Sequence, residues 1–143
     1  MLARRDHSKL ELTKKLNAKR YPPHEIEIVV SDLIQAGLLS DLRFTENYIS
    51  SRRKKGYGPL RITFDLQSRG ISHEMIAEEL KIADNAWLAE ARLVWQKHFK
   101  GKIPKNFKDK AKQIRFLQYR GFTQEQIENA LEYSQQQDPE ARD

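Results

Sequence analysis

The chain has 143 residues; 32% are charged, 38% belong to the hydrophobic set, and 26 Lys and Arg against 20 Asp and Glu give a net charge of +6. It has no cysteine, which excludes a disulfide framework, a thiolate metal site and a cysteine nucleophile. No apolar run approaches the ~20 residues that span a bilayer, and no apolar stretch follows the basic opening to make a signal peptide, so a cytoplasmic location is expected.

Ser8 and Glu11 have the spacing of a capping box and open a helix carrying Leu12 and Leu16. Lys19-Arg20-Tyr21-Pro22 ends it, and Pro22-Pro23 leads into a second helix with Ile26, Val30 and Leu33 on one face. Asp41 is expected to cap a third helix, with Phe44, Tyr48 and Ile49, that runs toward Gly56. Pro59 suits the first turn of a fourth, carrying Ile62 and Leu66. Arg69-Gly70-Ile71-Ser72 makes a turn and a cap before a helix with Ile76 and Leu80. Asp84 is expected to cap the next helix, whose Trp87, Leu88, Ala91, Val94, Trp95 and Phe99 end near Gly101. The two tryptophans read as core, because large aromatics dominate cores. A loop over Lys100 to Asn106 precedes a helix with Gln113 and Leu117; then Arg120-Gly121-Phe122-Thr123 turns the chain into a last helix with Ile127 and Leu131, opened by a Thr123/Gln126 capping box.

The chain repeats itself at offsets of 50 and 51 residues: Lys19-Arg20-Tyr21-Pro22 aligns with Arg69-Gly70-Ile71-Ser72 and with Arg120-Gly121-Phe122-Thr123. Arg20 stands where the other two turns have glycine, which predicts a looser or differently shaped turn there. Charge alternates in step with this repeat: residues 1–20 carry +5, 21–47 −4, 48–70 +5, 71–96 −3, 97–120 +8 and 121–143 −5. The fold class this predicts is all-α, an elongated array of tandem three-helix repeats, the first incomplete at the N-terminus. Repeat 1 spans 1–40 with its first helix short or missing, repeat 2 spans 41–83, repeat 3 spans 84–134, and a polar tail over 135–143 is expected to be flexible. Stacked units of this kind bury their apolar stripes only against neighbours and use one face for binding.

Enzyme signatures are missing. There is no Walker A string, Gly56-Tyr57-Gly58 lacks the third glycine of a dinucleotide site, and His7, His24, His73 and His98 do not have the spacing of a helical zinc site. No catalytic residue, no metal and no cofactor are expected. The basic blocks are more informative. Arg52, Arg53, Lys54 and Lys55 run consecutively into Gly56, with Arg61 beyond Pro59. Consecutive residues point around a helix, so these can share a face only if the helix ends there. A second block holds Lys97, Lys100, Lys102, Lys105, Lys108, Lys110, Lys112 and Arg115, with Phe107 and Tyr119 interleaved. Phosphates of a nucleic acid or an acidic protein groove would both complement such surfaces.

These segments carry a resemblance. Gly37-Leu38-Leu39-Ser40-Asp41-Leu42-Arg43-Phe44-Thr45-Glu46-Asn47-Tyr48-Ile49-Ser50-Ser51-Arg52 resembles the hallmark segment of the RecX family of recombinase regulators, and Gly58-Pro59-Leu60-Arg61-Ile62 is similar to that family's Gly-Pro-hydrophobic-Arg-Ile signature. Leu2 to Ser8 resembles the family's opening and Lys112 to Phe122 its closing repeat; Arg20 departs from the usual glycine and Ser40 from a frequent acidic residue. The resemblance implies an all-helical, non-enzymatic protein of three-helix units that binds RecA, and a monomer is expected. It would lie in the groove of the RecA–single-stranded DNA filament, with direct DNA contacts, and inhibit ATPase, coprotease and strand-exchange activities in DNA repair, recombination and the SOS response. The residues expected to contact the filament are Arg52, Arg53, Lys54, Lys55, Arg61, Lys97, Lys100, Lys105, Lys108 and Arg115. The alternatives are a general DNA-binding helical-repeat protein and a scaffold for another acidic protein.

Overall fold

The computed structural model describes residues 6–137, so the opening at Leu2 to Arg5 and the tail beyond Gln137 lie outside the described residues. The described residues form eight helices and no strand: α1 (Lys9–Ala18), α2 (Pro23–Gln35), α3 (Asp41–Lys54), α4 (Pro59–Ser68), α5 (His73–Leu80), α6 (Ala86–Phe99), α7 (Phe107–Arg120) and α8 (Gln124–Gln136). The described residues form two compact units. One holds residues up to Ser50 with Phe64–Leu80; the other holds Ser51–Thr63 and everything from Lys81 on.

In the first unit α1 packs on α2, and Leu12, Ile26, Val30 and Leu39 form a buried cluster flanked by Leu16 and Leu33. The capping box at Ser8 and Glu11 is present, with the Ser8 hydroxyl accepting from the Glu11 amide at 3.1 Å. The same hydroxyl donates to the Arg69 carbonyl at 2.7 Å, so the start of α1 is seated on the turn that ends α4. Arg69 pairs with Glu11 at 3.3 Å and lies over the Tyr48 ring at 4.8 Å. The cap of α3 is Ser40 rather than Asp41: its hydroxyl accepts from the Arg43 amide at 3.1 Å, while the Asp41 carboxylate accepts from the Lys9 amide at 2.7 Å. Both residue types suit an N-cap, and the local sequence does not choose between adjacent ones.

In the second unit α6 packs against α8 and α7, and Trp87, Trp95 and Leu117 have no exposed surface. Burying a ring of that size removes roughly 200 Å2 from water and contributes on the order of 5 kcal/mol before its entropy cost. Gln113, the polar intruder in the apolar repeat, is buried for a reason: its carbonyl accepts from Trp95 Nε1 at 2.8 Å and its amide donates to the Lys102 carbonyl at 2.9 Å. That pair satisfies an indole N–H which would otherwise be orphaned in the core. Asp84 accepts from the Ala86 amide at 2.9 Å, but the N-cap of α6 is Asn85 rather than the Asp84 expected from the sequence.

The three turns are alike, which corrects the looser turn expected at Arg20. Arg20, Gly70 and Gly121 all have positive φ, at 65°, 81° and 96°. Each donates to the carbonyl three residues back, and the next residue to the carbonyl five back, as in Arg20 N to Asn17 O at 2.9 Å and Tyr21 N to Leu16 O at 3.3 Å. Position 20 therefore holds the left-handed conformation that costs an L-residue about 1–2 kcal/mol. What differs is space. A Cβ on Gly70 would lie 2.7 Å from Leu10 Cβ, and one on Gly121 would lie 2.5 Å from the Arg61 amide nitrogen. Lys19, Arg20 and Tyr21 are exposed, so a side chain at position 20 has room.

Three outcomes follow for stability, read by urea unfolding. Arg20→Gly should raise it by up to about 1 kcal/mol, whereas Gly121→Ala should lower it by about 2 kcal/mol or more, since strain and a backbone clash add. Gln113→Leu should cost about 1–3 kcal/mol despite being more apolar, because it strands the Trp95 N–H and the Lys102 carbonyl.

Candidate partner-binding surface

All ten basic residues singled out from the sequence belong to the second unit. The first four sit where α3 stops. The Gly56 amide donates to Arg53 O at 3.0 Å, the Tyr57 amide to Arg52 O at 3.1 Å, and Gly56 takes φ 87°. Cations there face the negative end of the helix dipole, so the placement favours folding. The four side chains nonetheless diverge. Arg53 turns inward: its Nε donates to both Glu90 carboxylate oxygens at 2.8 and 3.0 Å, its Nη2 reaches the same carboxylate at 2.8 Å, and its guanidinium lies 4.1 Å from the Trp87 ring centroid. Arg52 lies over Tyr57 at 5.7 Å. Lys54 and Lys55 are exposed.

Arg61 reaches this region from the first turn of α4. The Gly58 amide donates to Arg120 O at 2.7 Å and the Leu60 amide to Gly121 O at 2.8 Å, which seats the start of α4 on the turn after α7. The Arg61 guanidinium is thereby placed 5.1 Å from the Tyr57 ring and 5.4 Å from Tyr119. Arg120 approaches Tyr57 from its own side at 5.1 Å, contacts Phe116 at 5.2 Å, and donates to the Lys55 carbonyl at 3.0 Å.

Lys54, Lys55 and Arg120 then join Lys97, in the last turn of α6, along one open groove of about 670 Å3. Leu93, Val94, His98 and Phe116 also line it, and Glu90 is its one carboxylate. His98 stacks on Phe116 with ring centroids 3.7 Å apart. Lys100, Lys105, Lys108 and Arg115 are exposed but do not line the groove. Lys100 holds a left-handed conformation at the end of α6 (φ 53°), and Lys108 lies in the first turn of α7, which Asn106 caps by accepting from the Asp109 amide at 2.8 Å. A lysine beside the positive end of a helix dipole gains nothing from that dipole. Tyr57, Leu93 and Arg120 are the surface residues that sequence reasoning missed. Arg120 carried a usable signal: it is the repeat equivalent of Arg69, and both guanidiniums lie over a tyrosine ring. Among the described residues no group of three or more His, Asp or Glu side chains is placed to hold a metal ion.

Three family models match the chain in order: RecX, first three-helix domain, over residues 1–33; RecX, second three-helix domain, over 40–80; and RecX, third three-helix domain, over 86–131. The regulatory protein RecX of Pseudomonas fluorescens is 40% identical over 131 residues, 92% of this chain and 84% of the relative. That of Pseudomonas syringae pv. tomato is 39% identical over the same shares. Among solved structures, RecX from Lactobacillus salivarius matches with a TM-score of 0.77 at 16% identity, over 93% of this chain and 88% of that one. A second, described as regulatory protein RecX, matches with a TM-score of 0.77 at 20% identity, over 89% of this chain and 65% of that one. The chain belongs to the RecX family of regulatory proteins.

The four consecutive cations should separate in a stability assay. Arg53→Ala should lower unfolding free energy by about 1–2 kcal/mol, because the 27%-exposed guanidinium side chain leaves a partly buried Glu90 without its partner. Lys54→Ala and Lys55→Ala should stay within about 0.5 kcal/mol of the parent.

Proposed function

We propose, from membership of the RecX family, that this chain is a non-enzymatic regulator of RecA. It binds RecA and the RecA–single-stranded DNA filament through its basic helices and inhibits the ATPase, coprotease and strand-exchange activities. The observation that supports this beyond family membership is the convergence of Lys54, Lys55, Lys97 and Arg120 on one groove. Three helix ends contribute these cations, which are distant in sequence. A lysine-rich solvated surface kept for solubility alone would not need such convergence. In this reading Lys54, Lys55, Arg61 and Lys97 make the principal contacts. Lys100, Lys105, Lys108 and Arg115 add long-range attraction and speed the encounter. Arg53 acts through packing, by holding the end of α3 against α6. The protein acts as a monomer in the cytoplasm and needs no cofactor.

A second reading, direct binding to naked single strands, draws on Phe107, 86% exposed and flanked in sequence by Lys105 and Lys108, and Tyr119, 72% exposed beside Arg120. Exposed aromatics among cations make a stacking platform for bases.

One assay separates the two: the single-strand-dependent ATPase of RecA, with this protein added to preformed filaments at low salt. Inhibition at substoichiometric amounts, with no rescue by excess free single-stranded DNA, is the expected result. Inhibition only near DNA-saturating amounts, relieved by more DNA, would mean a basic protein competing for phosphates. Lys54→Glu with Lys55→Glu should raise the half-inhibitory concentration at least tenfold while leaving the helical circular-dichroism signal unchanged. Wild-type inhibition by that variant would remove this patch from the contact surface.

A further inference from the structure

We propose that the groove formed by the end of α3, α6 and the end of α7 is a receptor for an acidic peptide segment that carries an aliphatic side chain. This deepens the regulator reading and rests on it only for which protein supplies the segment.

Charge defines the rim. Lys54, Lys55, Lys97 and Arg120 line the groove against a single carboxylate, Glu90, which Arg53 already neutralises through three short contacts. Each of the three helix ends contributes about half a negative charge. Four cations exceed that total by roughly two charges or more, so the groove holds uncompensated positive charge. An anionic occupant relieves it.

The floor decides what kind of anion. A polynucleotide would use an aromatic face, since base stacking supplies most of its non-electrostatic affinity. The aromatic faces here are already engaged by the chain itself. Phe116 has His98 stacked on it at 3.7 Å, Phe99 edge-on at 5.3 Å and the Arg120 guanidinium at 5.2 Å. Tyr57 has the guanidiniums of Arg52, Arg61 and Arg120 within 5.1–5.7 Å. The apolar group left open is aliphatic: Leu93, 67% exposed, beside Val94. A volume of about 670 Å3 accommodates a few side chains of an extended segment. Carboxylates on the rim and an aliphatic side chain against Leu93 satisfy both halves of the groove.

The test uses the whole protein and two fluorescein-labelled octapeptides, Asp-Glu-Asp-Leu-Leu-Asp-Glu-Asp and the same peptide with Ser-Ser at its centre. Fluorescence anisotropy at low salt should give at least fivefold tighter binding of the leucine peptide. Leu93→Ser, at an exposed position that leaves folding intact, should abolish that preference and keep affinity for a twelve-residue oligo-dT within twofold. Lys54→Glu with Lys97→Glu should weaken both peptides at least tenfold. Equal affinity for the two peptides, or no binding of either, overturns the proposal. So does parallel loss of oligo-dT binding in Leu93→Ser, which would make the occupant a nucleic acid. Concentration-dependent dimerisation lost in Leu93→Ser would make it a second copy of the chain, and also overturns it. Peptide binding without RecA inhibition would fail the regulator reading and leave this one standing; inhibition without peptide binding would do the reverse.

Discussion

The architecture depends on a turn in which glycine is required twice over. At Gly70 and Gly121 the chain must leave a helix through a left-handed residue, and it must also leave room for the start of another helix to be seated there. The first demand is conformational and many residues meet it at a cost of about 1–2 kcal/mol. The second is steric, and a Cβ fails it against Leu10 or the Arg61 backbone. The seating uses the same carbonyl each time, Arg69 O receiving the Ser8 hydroxyl and Arg120 O receiving the Gly58 amide, both at 2.7 Å. Position 20 faces only the first demand, and an arginine can serve.

The second of these joints builds the surface. Seating Gly58 and Leu60 on the 120–121 turn places Tyr57 and Arg61 beside Arg120 and Tyr119, and ties Lys55 to Arg120. Two segments more than fifty residues apart thus present their cations together. Arg53 completes the arrangement from within: paired with Glu90 and laid on Trp87, it anchors the last turn of α3 and leaves Lys54 and Lys55 outside.

Local features were legible because they obey local physics. The capping boxes at Ser8 and Thr123, the proline start of α4, the left-handed glycines and the buried tryptophans each follow from a few adjacent residues. Three further points depend on tertiary partners that the local sequence does not show. Whether Ser40 or Asp41 caps α3 depends on the Lys9 amide that claims Asp41. The inward turn of Arg53 depends on Glu90, 37 residues away. The burial of Gln113 makes sense only once Trp95 is known to point its N–H at it. Gln113 takes an otherwise apolar position of the repeat, and in the core it is the acceptor that lets a large indole be buried.

Much of the surface charge is also consistent with stability. Lys54, Lys97 and Arg120 lie at the C-terminal ends of α3, α6 and α7, where a cation stabilises the helix by a few tenths of a kcal/mol to about 1 kcal/mol. A cationic rim therefore arises at sites that folding already favours. Lys108 differs, because it sits in the first turn of α7, where the dipole opposes it. Helix electrostatics cannot account for that choice. The proposed attraction of an anionic partner would, because it depends on the summed field of the unit and tolerates a small local loss.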